Sequence, residues 1–265
     1  MNQRNLYSAW LLPIASLWRR DVVRFLRQRS RIVGALGTPI VFWLLIGSGM
    51  RHSFKMTGSA FQTDYLEYAF PGTVVLIVLF TAIFSMISLI EDRREGFMQG
   101  VLVAPVGRSV IVLGKVLGST TLAFGQSVLF LLLAPTIGIS MAWGSVGAVL
   151  SVLIIISLGL SGLGFLIAWP MDSTQGFHAV MNLFLVPMWL LSGAFFPASG
   201  ASGWVGWLMT INPLTYGVAA MRHAMYWGDG LAISGIPSPG VSVAVTIGFM
   251  ILMIMLASRS VVRRG

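Results

Sequence analysis

Apolar positions along the chain gather into long blocks and do not alternate. Six blocks stand out: Ile32–Met50, Ala69–Ile90, Val116–Ile137, Val146–Trp169, Phe177–Phe196 and Val241–Ser258. Each approaches the roughly 20 residues that a helix needs to cross a bilayer. A helix satisfies its own backbone polar groups in lipid, and no alternating ten-residue pattern suggests a barrel. The pattern predicts an all-α integral membrane protein with six transmembrane helices.

Three segments between the blocks are not simple loops. Before the first block, Ile14, Trp18, Val22 and Phe25 recur on one helical face, and Arg20, Arg24, Arg27 and Arg31 on another. That is the pattern of an N-terminal interfacial helix over residues 1–31, with its apolar face in lipid and its arginines at anionic headgroups. The plainer reading is a basic segment that only sets topology. After the second block, the charges Glu91, Asp92, Arg93, Arg94 and Glu95 lead into Phe97, Met98 and a short apolar stretch ending at Pro105. This segment, 91–105, is either a surface helix that docks a partner or a solvated loop. Residues 197–240 are too apolar for a free loop yet broken by Gly, Ser and Pro. They predict a re-entrant or interfacial helical hairpin, with Trp204 and Trp207 at the outer interface; the plainer alternative is an external loop with an aromatic anchor.

Composition supports the membrane reading. Of 265 residues, 56% are hydrophobic and 9% charged, against about a quarter charged in soluble domains. The net charge of +9 sits beside apolar spans, which favours a membrane surface over nucleic acid as partner. With no cysteine, disulfides, thiolate metal sites and cysteine nucleophiles are excluded. No short apolar core followed by a small-residue cleavage site marks a signal peptide. Arg4, Arg19, Arg20, Arg24, Arg27, Arg29, Arg31, Arg93, Arg94, Arg108, Lys115, Arg259, Arg263 and Arg264 fall on one side of a six-span topology. Arg51, Lys55 and Arg222 fall on the other. The positive-inside rule then puts both termini in the cytoplasm of a multi-pass cell-membrane protein.

Catalytic chemistry is missing. The proposed spans hold no acidic residue, so an ion-coupled carrier lacks its usual carboxylate. His178 and Asn182 lie four apart on one face of the fifth block, as pathway or helix-contact residues, and Gln126 joins them as a polar candidate. Gly114-Lys115 is not a P-loop, because Val116 stands where Ser or Thr is needed and Ser109 where the first glycine belongs. His52, His178 and His223 are isolated, so no metal site is expected. Gly114-x-x-x-Gly118, Thr121-x-x-x-Gly125 and the cluster Gly159, Ser161, Gly162 and Gly164 predict close helix contacts.

The chain resembles the permease subunits of type-2 ATP-binding-cassette exporters over nearly its whole length. Two stretches carry the likeness: EDRREGFMQG with VLVAP, Arg108 and Gly114-Lys115, and NLFLVPMWLLSGAFFP followed by WVGWLMTINPLTYGVAAMR. The wording is nearest to the drug- and lipid-export branch, the daunorubicin-resistance proteins. Met98-Gln99 departs from the Thr and Glu usual there. The resemblance implies a connecting helix over 1–31, a permease domain over 32–265 and two copies of the chain. It also implies two separate ATPase subunits that hold ATP and Mg, this chain binding no cofactor. It makes Glu91, Asp92, Arg93, Arg94, Glu95, Phe97 and Met98 the coupling segment. On this reading, coupling would shift spans two and five against their symmetry mates, and Phe184, Trp189, Phe195 and Phe196 would form an apolar gate. The expected function is export of a lipophilic drug-like or lipid-linked substrate. The alternatives are polysaccharide or glycoconjugate export, a passive or ion-coupled transporter without an ATPase, and a membrane scaffold.

Overall fold

The computed structural model describes residues 3–50, 65–103, 107–196, 201–226 and 236–263. Arg51, His52, Lys55 and Asp64, residues 104–105 of the coupling segment, and 197–200 and 227–235 of the fifth loop lie outside the described residues. Among those described the fold is all helical. The helices are α1 (Gln3–Arg27), α2 (Arg29–Met50), α3 (Tyr65–Arg94), α4 (Phe97–Val103), α5 (Arg108–Leu131), α6 (Trp143–Ala168), α7 (Thr174–Trp189), α8 (Gly203–Ile211), α9 (Pro213–Met225) and α10 (Pro239–Arg263). A 3-10 turn, Ala134–Ile137, prolongs α5, and a π-type turn, Leu190–Ala194, prolongs α7.

Six of these elements are long and apolar enough to cross a membrane: α2, α3, α5 with its 3-10 turn, α6, α7 with its π turn, and α10. They coincide with the six apolar blocks, but α3 and α5 run well past them at the charged end. The chain is a multi-pass membrane protein.

Helix α3 is the axis of the bundle. It is almost wholly enclosed, by α2, α5, α6, α7 and α9, whereas α2 and α10 are mostly uncovered. This corrects the expectation that span two faces a symmetry mate, because α3 has little surface left to offer one. Among the spans the least covered are α2 and α10, followed by α7.

The glycine pattern explains two of the tight packings. A Cβ at Gly114 would meet Leu17 at 2.7 Å, and one at Gly118 would meet Asp21 at 3.2 Å, so α1 lies directly along α5. Gly159 and Gly162 let α10 approach α6 at Met250 and Met253. Gly125, in contrast, has nothing within 4 Å.

The contact with α5 also shows which face of α1 is packed. It is Leu17, Asp21 and Phe25 that are buried, while Trp18 is exposed. The Ile14, Trp18, Val22 and Phe25 face, expected in lipid, is thus partly turned onto the bundle: Phe25 is buried, Ile14 and Val22 are half-buried and Trp18 is exposed.

Candidate functional site

At one end of the bundle, ionic side chains from α1, α2, α3 and α5 converge. Arg20 donates two hydrogen bonds to Asp92, both 2.7 Å, and Arg24 adds a third at 2.7 Å. Lys115 donates to Asp92 at 2.6 Å, to Asp21 at 2.8 Å and to Ser88 at 3.3 Å. Arg24 also reaches Glu91 at 3.1 Å and Glu95 at 3.2 Å, and Arg31 donates to Glu91.

The cluster pairs four cations with four carboxylates, which is what permits its burial. Asp92 and Lys115 are 0% and 1% exposed, and an isolated charge there would be very costly. Burial pushes the Asp21 carboxyl up from its ordinary range, and the Lys115 ammonium pulls it only part of the way back. The Arg20 guanidinium is raised chiefly by its hydrogen bond to Asp92.

Helix α4 sits at this basic end, set off from α3 by Gly96 at φ 78°, a left-handed conformation that glycine tolerates. Met98 is buried against the bundle, while Phe97, Gln99, Gly100 and Val103 face outward. Arg20 stacks over the Phe97 ring at 3.8 Å, tying α4 to α1. Arg93 donates to the Trp169 and Met171 carbonyls, so the segment is also held to the α6–α7 loop.

The sequence-predicted coupling residues therefore divide. Arg94, Glu95 and Phe97 are exposed and Glu91 and Arg93 half-buried, but Asp92 and Met98 are internal. As docking contacts Asp92 and Met98 are corrected: Asp92 is held within the chain by Arg20, Arg24 and Lys115, and Met98 is packed in the core. Lys115, expected as a loop charge, is a buried residue of α5. Asp92, expected in the segment after the second apolar block, lies in the last turn of α3, past Ile90.

The opposite end is built around the break in α7. Pro187 and the left-handed Gly193, φ 75°, interrupt its hydrogen-bond ladder. Side chains from other helices satisfy the freed carbonyls. Asn212 donates to Met188, Thr215 to Leu191, and Tyr65 to Phe195. The Gly193 carbonyl accepts from Arg222 at 2.9 Å and from Tyr68 at 3.2 Å. Broken backbone at membrane depth is tolerated only when protein covers it in this way.

Arg222, which sequence reasoning counted as an outer-loop charge, is 2% exposed here and lies 4.0 Å from the Tyr68 ring. The signal was its place among apolar residues, with Val218 to Met221 before it and Ala224 and Met225 just beyond His223.

The proposed gate aromatics do not form one cluster within the protomer. Trp189 is buried, donates to the Gly72 carbonyl and packs edge-on against Phe195. Phe195 and Phe196 are half-buried, and Phe184 is 62% exposed on the uncovered face of α7. His178 lines a cavity of about 310 Å3 at the basic end, with Arg31, Glu91, Phe84 and Thr174. Asn182, one turn further, is exposed and outside that cavity. Among the described residues no three His, Asp or Glu side chains gather as a metal site.

A family model described as ABC-2 type transporter matches residues 13–226, from α1 through α9. The chain belongs to that family. An ABC-2 permease domain carries no nucleotide-binding site of its own, so this permease is not itself an ATPase. It is similar to the transport permease ycf38 of Cyanophora paradoxa, 24% identical over 78% of this chain and 71% of the relative. It is also similar to nodulation protein J of Sinorhizobium fredii, 25% identical over 82% of this chain and 84% of the relative. A third relative is the daunorubicin resistance ABC transporter permease protein DrrB1 of Streptomyces coeruleorubidus, 22% identical over 83% and 78%. The names differ while the identities do not, so what is shared is the permease scaffold.

Proposed function

We propose that this permease forms the membrane half of an ATP-driven exporter, in which two copies of the chain pair with two ATP-binding-cassette subunits. The observation that carries this reading is α4. It is a seven-residue helix with an outward face of Phe97, Gln99, Gly100 and Val103, rooted through Phe97 and Asp92 in an ionic cluster that binds α1, α3 and α5. A motion delivered to so short an exposed helix reaches three long helices at once. ATP and Mg would be held by the partner.

In this reading the basic end, with both termini, is cytoplasmic, in line with the positive-inside rule. The α8–α9 segment is the re-entrant element at the outer mouth, and α1 is the connecting helix. Glu91, Arg93, Arg94, Glu95, Phe97 and Gln99 form the surface presented to the ATPase, beside a groove lined by Trp169 and Asp172. Asp92 and Met98 anchor that surface from within.

The cargo is lipophilic or lipid-linked, because the faces left uncovered on α2 and α7 are apolar, with Phe42, Leu45, Leu183 and Phe184 exposed. The cavity around His178 and Arg31 lies where a polar headgroup would enter. Trp189 and Phe195, braced on the α7 break, stand at the exit.

The test is reconstitution in sealed vesicles with the ATPase subunit that co-purifies from the native membrane. Phe97→Ala combined with Gln99→Ala should leave insertion intact and lower coupled hydrolysis at least several-fold. Cargo movement by this chain alone, with no hydrolysing subunit, would overturn the reading.

A further inference from the structure

The described arginine side chains of α1 fall into two classes. Arg20, Arg24 and, just beyond the helix, Arg31 are engaged by carboxylates. Arg19 and Arg27 are exposed and have no polar partner among the described residues. Both free arginines open into a cleft of about 640 Å3 between α1 and the α3–α4 turn, whose walls also include Arg20, Arg24 and a single carboxylate, Glu95. Since Arg20 and Arg24 are already neutralised on their inner side, the uncompensated charge of the cleft is that of Arg19 and Arg27.

We propose that this cleft binds the phosphodiester headgroup of an anionic phospholipid. Charge complementarity points to an anion, and the surrounding surface points to a lipid rather than a protein acid. Leu12 and Val23 lie on the same helical stripe as Arg19 and Arg27, and they are 63% and 38% exposed. Leu11 and Leu26 beside them are also uncovered. An acidic protein patch would leave these side chains against water, whereas a phospholipid covers the arginines with its headgroup and the leucines with its acyl chains. Because Arg20 and Arg24 wall the cleft and also grip Asp92, a bound headgroup acts on the same ionic cluster that roots α4. This inference rests on the membrane location of the chain and not on its having an ATPase partner.

The test uses the full chain in neutral detergent, titrated with phosphatidylglycerol or phosphatidylcholine and read by native mass spectrometry. Phosphatidylglycerol should be retained in preference to phosphatidylcholine. The Arg19→Gln, Arg27→Gln pair should weaken its retention by roughly 30-fold, the effect of two surface charges. The corresponding Lys pair should keep most of it. Both residues are exposed, so an unchanged thermal midpoint is the folding control, and Arg27→Gln alone carries the test if the pair unfolds. Unaltered retention by the Gln variants overturns the site. Displacement by inorganic phosphate as effective as that by phosphatidylglycerol makes it a free-anion site. Protection of residues 16–28 from hydrogen exchange by the ATPase subunit in lipid-free detergent makes it a protein interface. Either of these two results also overturns it.

Discussion

Lys115 lies 2.6 Å from Asp92 and 2.8 Å from Asp21, a single ammonium shared by carboxylates of α3 and α1. The two carboxylates are not equivalent. Asp92 also holds Arg20 and Arg24, while Asp21 approaches Arg20 only at 3.8 Å.

Their substitution should therefore be asymmetric. Asp92→Asn removes the buried carboxylate that Arg20, Arg24 and Lys115 share and should cost about 3–5 kcal/mol, as breaking a buried pair does. Asp21→Asn leaves Lys115 on Asp92 and should change stability at neutral pH by about 1 kcal/mol or less. Thermal unfolding of both variants in one detergent checks this, and equal losses would contradict the shared-ammonium arrangement.

The Asp21 carboxyl, raised by burial, gives the pH dependence a definite sign. A raised carboxyl favours the folded state while protonated, and that advantage is lost as pH rises through its folded value. Wild type should lose stability relative to Asp21→Asn as the pH is raised above about 4, the ordinary carboxyl value, and through the higher folded value. A difference that instead moved in favour of wild type on raising the pH would mean that attraction to Lys115 outweighs desolvation.

Arg222 and Tyr68 both donate to the Gly193 carbonyl. Arg222→Met or Tyr68→Phe alone leaves one donor, but the double variant strands a buried carbonyl. The double-mutant cycle should give a coupling of about 1 kcal/mol beyond additivity. Hydrogen exchange over residues 190–196 should rise most in the double variant, and strict additivity would show that the two donors act independently.

The close passage of α1 over α5 is tested by two alanines. Gly114→Ala forces a Cβ to 2.7 Å from Leu17 and should lower the thermal midpoint or loosen α1, read as faster proteolysis within residues 1–27. Gly125→Ala meets nothing within 4 Å and should be neutral or stabilise by up to about 1 kcal/mol through helix propensity.

The six spans were legible because lipid demands long apolar runs, and the runs are there. The helix ends at the basic side were not. Glu91 to Arg94 and Arg108 to Lys115 read as loop because charge is costly in a span, and the neutralising partners come from α1, where Asp21 is 94 positions from Lys115. One aspartate in an arginine-rich segment, Asp21, was the available clue that α1 packs on the bundle as well as lying at the membrane surface. The burial of Arg222 was not legible for a related reason: its partners are backbone carbonyls at Tyr68 and at Gly193 in the break of α7, and a sequence shows the proline and glycine of that break without showing what repairs it. Trp189 and Phe195 read as gate residues under the exporter reading, and in the structure they pack on each other at that same break.

Helix α3 carries Tyr68 near one end and Asp92 near the other, 24 residues apart along one continuous helix, or roughly 36 Å. A helix is stiff along its axis, and neighbours grip this one on nearly all sides. In the proposed exporter this helix is a connecting rod: a nudge at the arginine-clasped tip would arrive, undiminished in length, beneath the kinked end of α7. No relay of side chains through the hydrophobic interior is needed.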